Sequence, residues 1–418
     1  MNADPKEFSA ALARGSGRAM ILLRQARGDG SFKDALVRAC ICNQAYDPQC
    51  EEERRAYLAR LIAATGHRDL CFAELAPSLS AAADDDTDIP QVFAVLARLA
   101  AQGGEPDKSL IRSAYSGLSQ EDQLDCMEAI VRLDGLPAFI QCLNRVSANV
   151  PDEWWRVAGL LEALQERDGP EIEPPLQLAR SEHPALDQAF AQIETERLSQ
   201  LAPADEPYDF PSIRAALQRG EQPSGWSRRF AEDELRLLAK DLRSLSDEIR
   251  ARPYLRRFAR RDFPGDPQEL IRWAESSTPR TAAMAVRALS RCKSPIVRAM
   301  ARTRLERGDL SGAWLLASNY IDGNFGYLDP LMRAAMDDDE AHDFGFALLK
   351  IFDHSVVPIA ESEAMLLWLY ERTPCSICRS TAASKLVELG RAPTWMAEEA
   401  PFDADPSTVQ LFNTELAA

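Results

Sequence analysis

The sequence predicts an all-α protein, arranged as a degenerate α-solenoid of antiparallel helix pairs. The first observation is a recurring start phrase. At Ser294-Pro295 a small polar residue ends one helix and caps the next, proline takes the first turn, and Val297, Met300, Ala301 and Leu305 recur at helical spacing. Related phrases stand at Thr278-Pro279, Thr373-Pro374 and Asp405-Pro406. The second observation is dense punctuation: 20 Gly and 26 Pro fall mostly between apolar-periodic stretches of roughly ten to eighteen residues. The third is that alternating β-branched strands and hairpin turns flanked by strands are missing from the sequence.

Taken in order, Arg14-Gly15-Ser16-Gly17-Arg18 has a superficial likeness to a phosphate loop. It lacks a preceding strand and a terminal Gly-Lys-Ser/Thr, so it reads as an inter-helix turn. Helical stretches are expected over 52–64, 91–101, 120–133 and 152–166, and again over 363–371 and 375–389. The acidic runs 84–88 and 337–340 read as solvated loops. Residues 201–225 interrupt the pattern: Pro203, Pro207 and Pro211 alternate with Asp205, Glu206 and Asp209 without a helical face. They are expected to form a hinge or linker between an N-terminal half (1–200), the more degenerate one, and a C-terminal half (226–418). At ~40–47 residues per helix pair the chain holds about nine or ten pairs.

Composition bounds the function. A chain of 418 residues exceeds the usual size of a single core, which suits a repeat or several domains. An apolar fraction of 46% and a charged fraction of 27% exclude whole-chain disorder. The net charge of -17 argues against a general coating of nucleic acid and marks an acidic protein. The start of the chain is polar and acidic, unlike a signal peptide, and the apolar run 19–23 is too short to span a bilayer. Nine scattered cysteines fit a reducing compartment, so a cytoplasmic, membrane-free protein is expected.

The phrases at Ser294-Pro295 and from Pro374 to Ala382 resemble HEAT-type repeats, an armadillo-like architecture. The resemblance is clearest over 266–411 and rests on general texture before that. It implies a curved superhelix that binds other macromolecules along its concave face. Some HEAT-like proteins are DNA-base glycosylases and some are bilin lyases, but neither activity has a residue motif that carries over to this chain.

The sharpest local anomaly is basic. Residues 226–261 carry eleven Arg and Lys against six acids, centred on Arg250, Arg252, Arg256, Arg257, Arg260 and Arg261. Tyr254 and Phe258 are interleaved four apart on one helical face. Guanidinium forks suit carboxylate and phosphate alike, so the ridge is a candidate contact for an acidic protein partner, with nucleic acid as the lesser possibility. The bland alternative is a solvated face, or pairing with the acid-rich remainder of the chain. Trp154 and Trp155 are adjacent on a helix, so only one can easily face the core and the other is a candidate exposed anchor.

Cys375 and Cys378 form a Cys-x-x-Cys at a helix start, where the macrodipole favours thiolate. No second Cys-x-x-Cys or Cys/His pair of metal-ligand spacing accompanies it, so core packing is the expected role and no metal or cofactor is assigned. Cys40, Cys42 and Cys50 likewise read as ordinary buried thiols, and the four histidines stand far apart. Without a catalytic constellation the chain reads as a non-enzymatic scaffold or adaptor that binds a macromolecular partner. The alternative is a HEAT-like glycosylase or other nucleic-acid-binding repeat protein, with Asp262, Asp266 and Trp273 beside the basic stretch. The two readings separate in a mobility-shift assay on duplex DNA at ~50 mM salt, where electrostatic binding is strongest. The scaffold reading expects no shift, and the glycosylase reading expects one.

Overall fold

The computed structural model describes residues 4–26, 32–51, 54–79, 86–146, 154–201, 209–221 and 230–415, which hold helices and turns and no strand. The chain divides into two compact units, Met1–Pro203 with Pro393–Ala418, and Ala204–Ala392.

Local capping decides where the helices restart. Ser294 Oγ accepts the Ile296 N–H, Pro295 opens the helix, and Val297, Ala301 and Leu305 form its buried stripe. Pro279–Leu289 also opens on proline, after Thr278, whose side chain makes no cap hydrogen bond. At the C-terminal end, Asp405 accepts from the Thr408 N–H at 2.7 Å and begins the helix Pro406–Glu415. Two expected loops prove to be helix starts. Asp337 caps Asp338–His354 in a reciprocal capping box with Glu340, which places three acids in the positive first turn. Asp88 caps the helix Ile89–Gln102 through Gln91. Residues 84–85 of that second acidic run lie outside those described. The stretch 120–133 is two helices, Gln120–Asp125 and Met127–Asp134, that meet at Cys126.

The first unit packs around one apolar core, which includes the stacked pair Phe8 and Phe32 at 4.2 Å and extends to Ala404. Residues 393–415, expected from sequence in the second half, belong here. Ala404 donates its N–H to the Gly15 carbonyl at 2.8 Å, Arg60 donates to the Asp403 carbonyl at 3.1 Å, and Arg18 pairs with Glu399. The glycines of the turn 14–18 admit this strap. Gly15 has φ +68°, where its missing Cβ also clears Ala404, and a Cβ on Gly17 would overlap the Glu399 carbonyl.

In the second unit, five helices pack in series: Glu248–Phe258, Pro279–Leu289, Ser311–Leu316, Asp338–His354 and Ser376–Glu388. The intervening helices Gln268–Ala274, Pro295–Glu306 and Ile359–Arg372 lie against members of that series. Neighbours in the series run in the same direction. Arg252 meets Thr281 at 3.0 Å, and one helix length further Asp262 meets Arg291 at 2.8 Å. The buried Asn319 ties two turns together: its amide donates to the carbonyls of Cys292 and Leu315 at 2.9 and 3.0 Å and accepts the Ser294 N–H at 2.8 Å. Of the segment read from sequence as a hinge, described residues 209–221 hold the helix Phe210–Gln218, anchored by buried Ile213 and Leu217 and by an Arg214–Asp241 pair at 2.6 Å. No helix among the described residues is long and apolar enough to cross a membrane.

Gly17→Ala is expected to lower stability by about 1–3 kcal/mol, the usual cost of overpacking against a fixed backbone. Gly117→Ala, which meets open space at the last position of a helix, is expected to be neutral or stabilising by up to about 1 kcal/mol. Denaturant midpoints of the two variants against the parent check both.

Candidate functional site

Three helices of the serial layer turn basic stripes toward a common groove of about 640 Å³. Glu248–Phe258 and the turn after it contribute Arg256 and Arg260, and Pro279–Leu289 and its continuation contribute Arg280, Met284, Arg287 and Arg291. Asp338–His354 contributes Phe346, Lys350 and His354 at four-residue steps, and Trp314 lies beneath them. The spacing of each stripe keeps its members on one helical face. Five arginines and one lysine line the groove with no acidic side chain among the lining residues.

The cations sit on an aromatic floor. Trp314 and Phe346 lie 5.5 Å apart, the Arg287 guanidinium stands 4.9 Å over Trp314, and the Lys350 ammonium stands 5.2 Å over Phe346. Asp343 steadies this edge, accepting from both Arg287 and the Trp314 indole at 3.1 Å. Arg291 pairs with Asp262 and Lys350 with Asp353. Arg260 and Arg280 are exposed and have no ion pair among the described residues.

The expected ridge divides by helical phase. Arg256 and Arg260 reach the groove, whereas Arg250, Arg252, Arg257, Arg261 and Tyr254 are not among its lining residues. Arg250 donates to the Gln218 carbonyl, and Arg252 is held by Thr281. Arg257 is only 2% exposed and lies 5.0 Å over the Phe230 ring. Tyr254 is 1% exposed and Phe258 is buried against Phe263 at 4.8 Å, so the interleaved aromatics form the core face of the helix and not a binding surface. Arg261 lies half-buried beyond the helix end. Arg228 and Arg229 fall outside the described residues. Asp262 and Asp266 are exposed, and Trp273 is buried under Arg272. None of the three lines the groove.

In the first unit, Trp155 is 53% exposed, carries the Arg156 guanidinium 4.5 Å over its ring and borders a cavity of about 460 Å³. Trp154 opens the same helix, Trp154–Asp168, and its side chain is outside those described. The cavity is floored by Ala94, Ala97, Ala129, Ala158 and Gly159, and its charges are mixed and partly paired, as in Arg132 with Glu128 and Arg54 with Glu51.

A second cluster in the second unit was not legible as a set. His342, Cys375 and Cys378 bring one imidazole nitrogen and two sulfurs within 4.8 Å of one another. Cys375 is the N-cap of Ser376–Glu388 and Cys378 lies in its first turn, a spacing that faces both sulfurs the same way. The Ile377 and Cys378 N–H groups point toward Cys375 Sγ without closing into a cap hydrogen bond. The Cys378 thiol, those N–H groups and His342 pull the Cys375 thiol well below the ordinary range against the effect of burial, whereas burial pushes Cys126, Cys142 and Cys292 up. His342 arrives from another helix, and no local spacing announces it. The groove residues beyond the ridge did leave a signal: Arg280, Arg287 and Arg291 recur at helical steps, as do Phe346, Lys350 and His354.

Comparison of the chain with protein-family models, with curated proteins and with solved structures finds no match.

Alanine substitution separates the two kinds of arginine. Arg257→Ala is expected to destabilise by about 1–3 kcal/mol through lost packing, while Arg260→Ala and Arg280→Ala stay within about 0.5 kcal/mol of the parent in denaturant melts.

Proposed function

We propose that the chain is a non-enzymatic adaptor, a HEAT-like α-solenoid whose second unit holds an acidic segment of a protein partner in the arginine-lined groove. The observation that carries this reading is the lining itself. Six cations crowd a concavity of about 640 Å³ without an acidic side chain among them, in a chain whose net charge is -17. A volume of this size accepts several side chains. Carboxylates satisfy the forks of Arg260 and Arg280, and an apolar or aromatic neighbour covers Trp314 and Phe346. The solenoid reading is supported by the series of parallel alternate helices with intervening ones laid against them, which is how stacked helix pairs present one helix of each pair to a common face. Nine cysteines, none of them in a disulfide among the described residues, fit a cytoplasmic setting.

The test uses Arg260→Glu with Arg280→Glu, both at exposed positions. Affinity purification from host extract is expected to recover a protein partner with the parent chain and to lose it with the reversed one. A fluorescein-labelled Glu-rich peptide containing one Phe is expected to bind the parent, weaken with added salt, and lose about tenfold or more in affinity on reversal, roughly 1.4 kcal/mol or more. Equal recovery by parent and variant, or recovery of nucleic acid in place of protein, overturns the proposal.

A further inference from the structure

None of the three cluster residues lines the groove, although the His342 ring lies 6.4 Å from Phe346 at its floor, and the cluster does not depend on the adaptor reading. We propose that His342, Cys375 and Cys378 form a zinc site, with solvent or an exogenous ligand at the fourth position. The convergence of three ligand atoms from two different helices within 4.8 Å supports it.

The fold builds this convergence in steps. Asp338–His354 and Ser376–Glu388 run in the same direction, because Asp353 meets Lys385 near their far ends while His342 meets Cys378 near their starts. Both helices therefore bring residues near their N-terminal ends to one end of the layer. Gly345, one turn after His342, lets the preceding chain approach: a Cβ there would lie 2.8 Å from Leu369 Cδ2 and 3.9 Å from Thr373 Cβ. That approach delivers Cys375 to the imidazole.

The donor set selects the metal. Two sulfurs and an imidazole suit zinc, and the absence of an oxygen ligand in the cluster disfavours magnesium and calcium. Bond lengths of about 2.3 Å to sulfur and 2.0 Å to nitrogen set tetrahedral ligand separations of roughly 3.5–3.8 Å, within reach of side-chain rotation from the present positions. Charge favours the ion as well. Cys375 is 7% and Cys378 3% exposed, so holding both as thiolates leaves two negative charges in a nearly dry site. One Zn²⁺ neutralises both as two protons leave. The Ile377 and Cys378 N–H groups aimed at Cys375 Sγ would hold the thiolate in place as outer partners.

The experiment loads the full reduced chain, stripped with chelator, with zinc and then with cobalt. Wild-type protein is expected to retain one zinc per chain after dialysis. Its cobalt form is expected to show thiolate-to-metal charge transfer in the near ultraviolet and the intense visible bands of four-coordination. His342→Gln, at a half-exposed position that leaves the core intact, and the pair Cys375→Ser with Cys378→Ser are expected to weaken zinc binding at least ~100-fold, since loss of outer partners alone costs 10- to 100-fold. Cys292→Ser, a buried thiol elsewhere, is expected to bind like the parent. Failure of the wild type to take up zinc, or undiminished binding by folded His342→Gln, overturns the assignment.

Discussion

Helices of 6 to 17 residues form the second unit, and such lengths are marginal in water without lateral burial. Each helix therefore depends on the next, and the depth and rotation at which neighbours meet set the position of every side chain on the shared face. Specific polar contacts help hold that relation in the serial layer. Arg252 meets Thr281, Arg291 meets Asp262, and Asn319 bridges the turns at Cys292 and Ser294. With the helices aligned this way, stripes separated by tens of residues become adjacent walls of one groove.

The groove sets electrostatics against stability. Arg256, Arg260, Arg280, Arg287, Arg291 and Lys350 share a concavity, and like charges at this density oppose folding. The fold relieves part of the strain with Asp262, Asp343 and Asp353, and solvent screens the rest. What remains on Arg260 and Arg280 is attraction for an anionic surface, placed beside an aromatic floor that adds contact area.

The thiol–imidazole cluster follows from the same parallel stacking. Parallel neighbours bring helix N-termini to one end of the layer, and their unpaired N–H groups make that end favourable for anions. Cys375 occupies such an N-terminus, and His342 occupies the start of the neighbouring helix. The strap 393–415 in the first unit shows how little side chain such approaches tolerate: Gly15 and Gly17 have no Cβ where Ala404 and the Glu399 carbonyl lie.

Local chemistry was readable from the residues. The Ser-Pro and Asp-Pro starts at 294 and 405, the stripe Val297–Ala301–Leu305, and the helical class of the chain all follow from capping and periodicity within one helix. The acidic run 337–340 misled because a cap and a solvated loop share a composition, and the distinction lies in the hydrogen bonds that Asp337 and Glu340 make. Tyr254 and Phe258 share a face, as their spacing requires, but which face meets the core depends on the neighbouring helix. The sequence by itself determined the helical class and the proline-led starts at 295 and 406, because those signals lie within one helix. Only the tertiary structure decided that Arg256 and Arg280 line one groove and that His342 stands beside Cys375, because those neighbours are chosen by burial between helices that share no local signal.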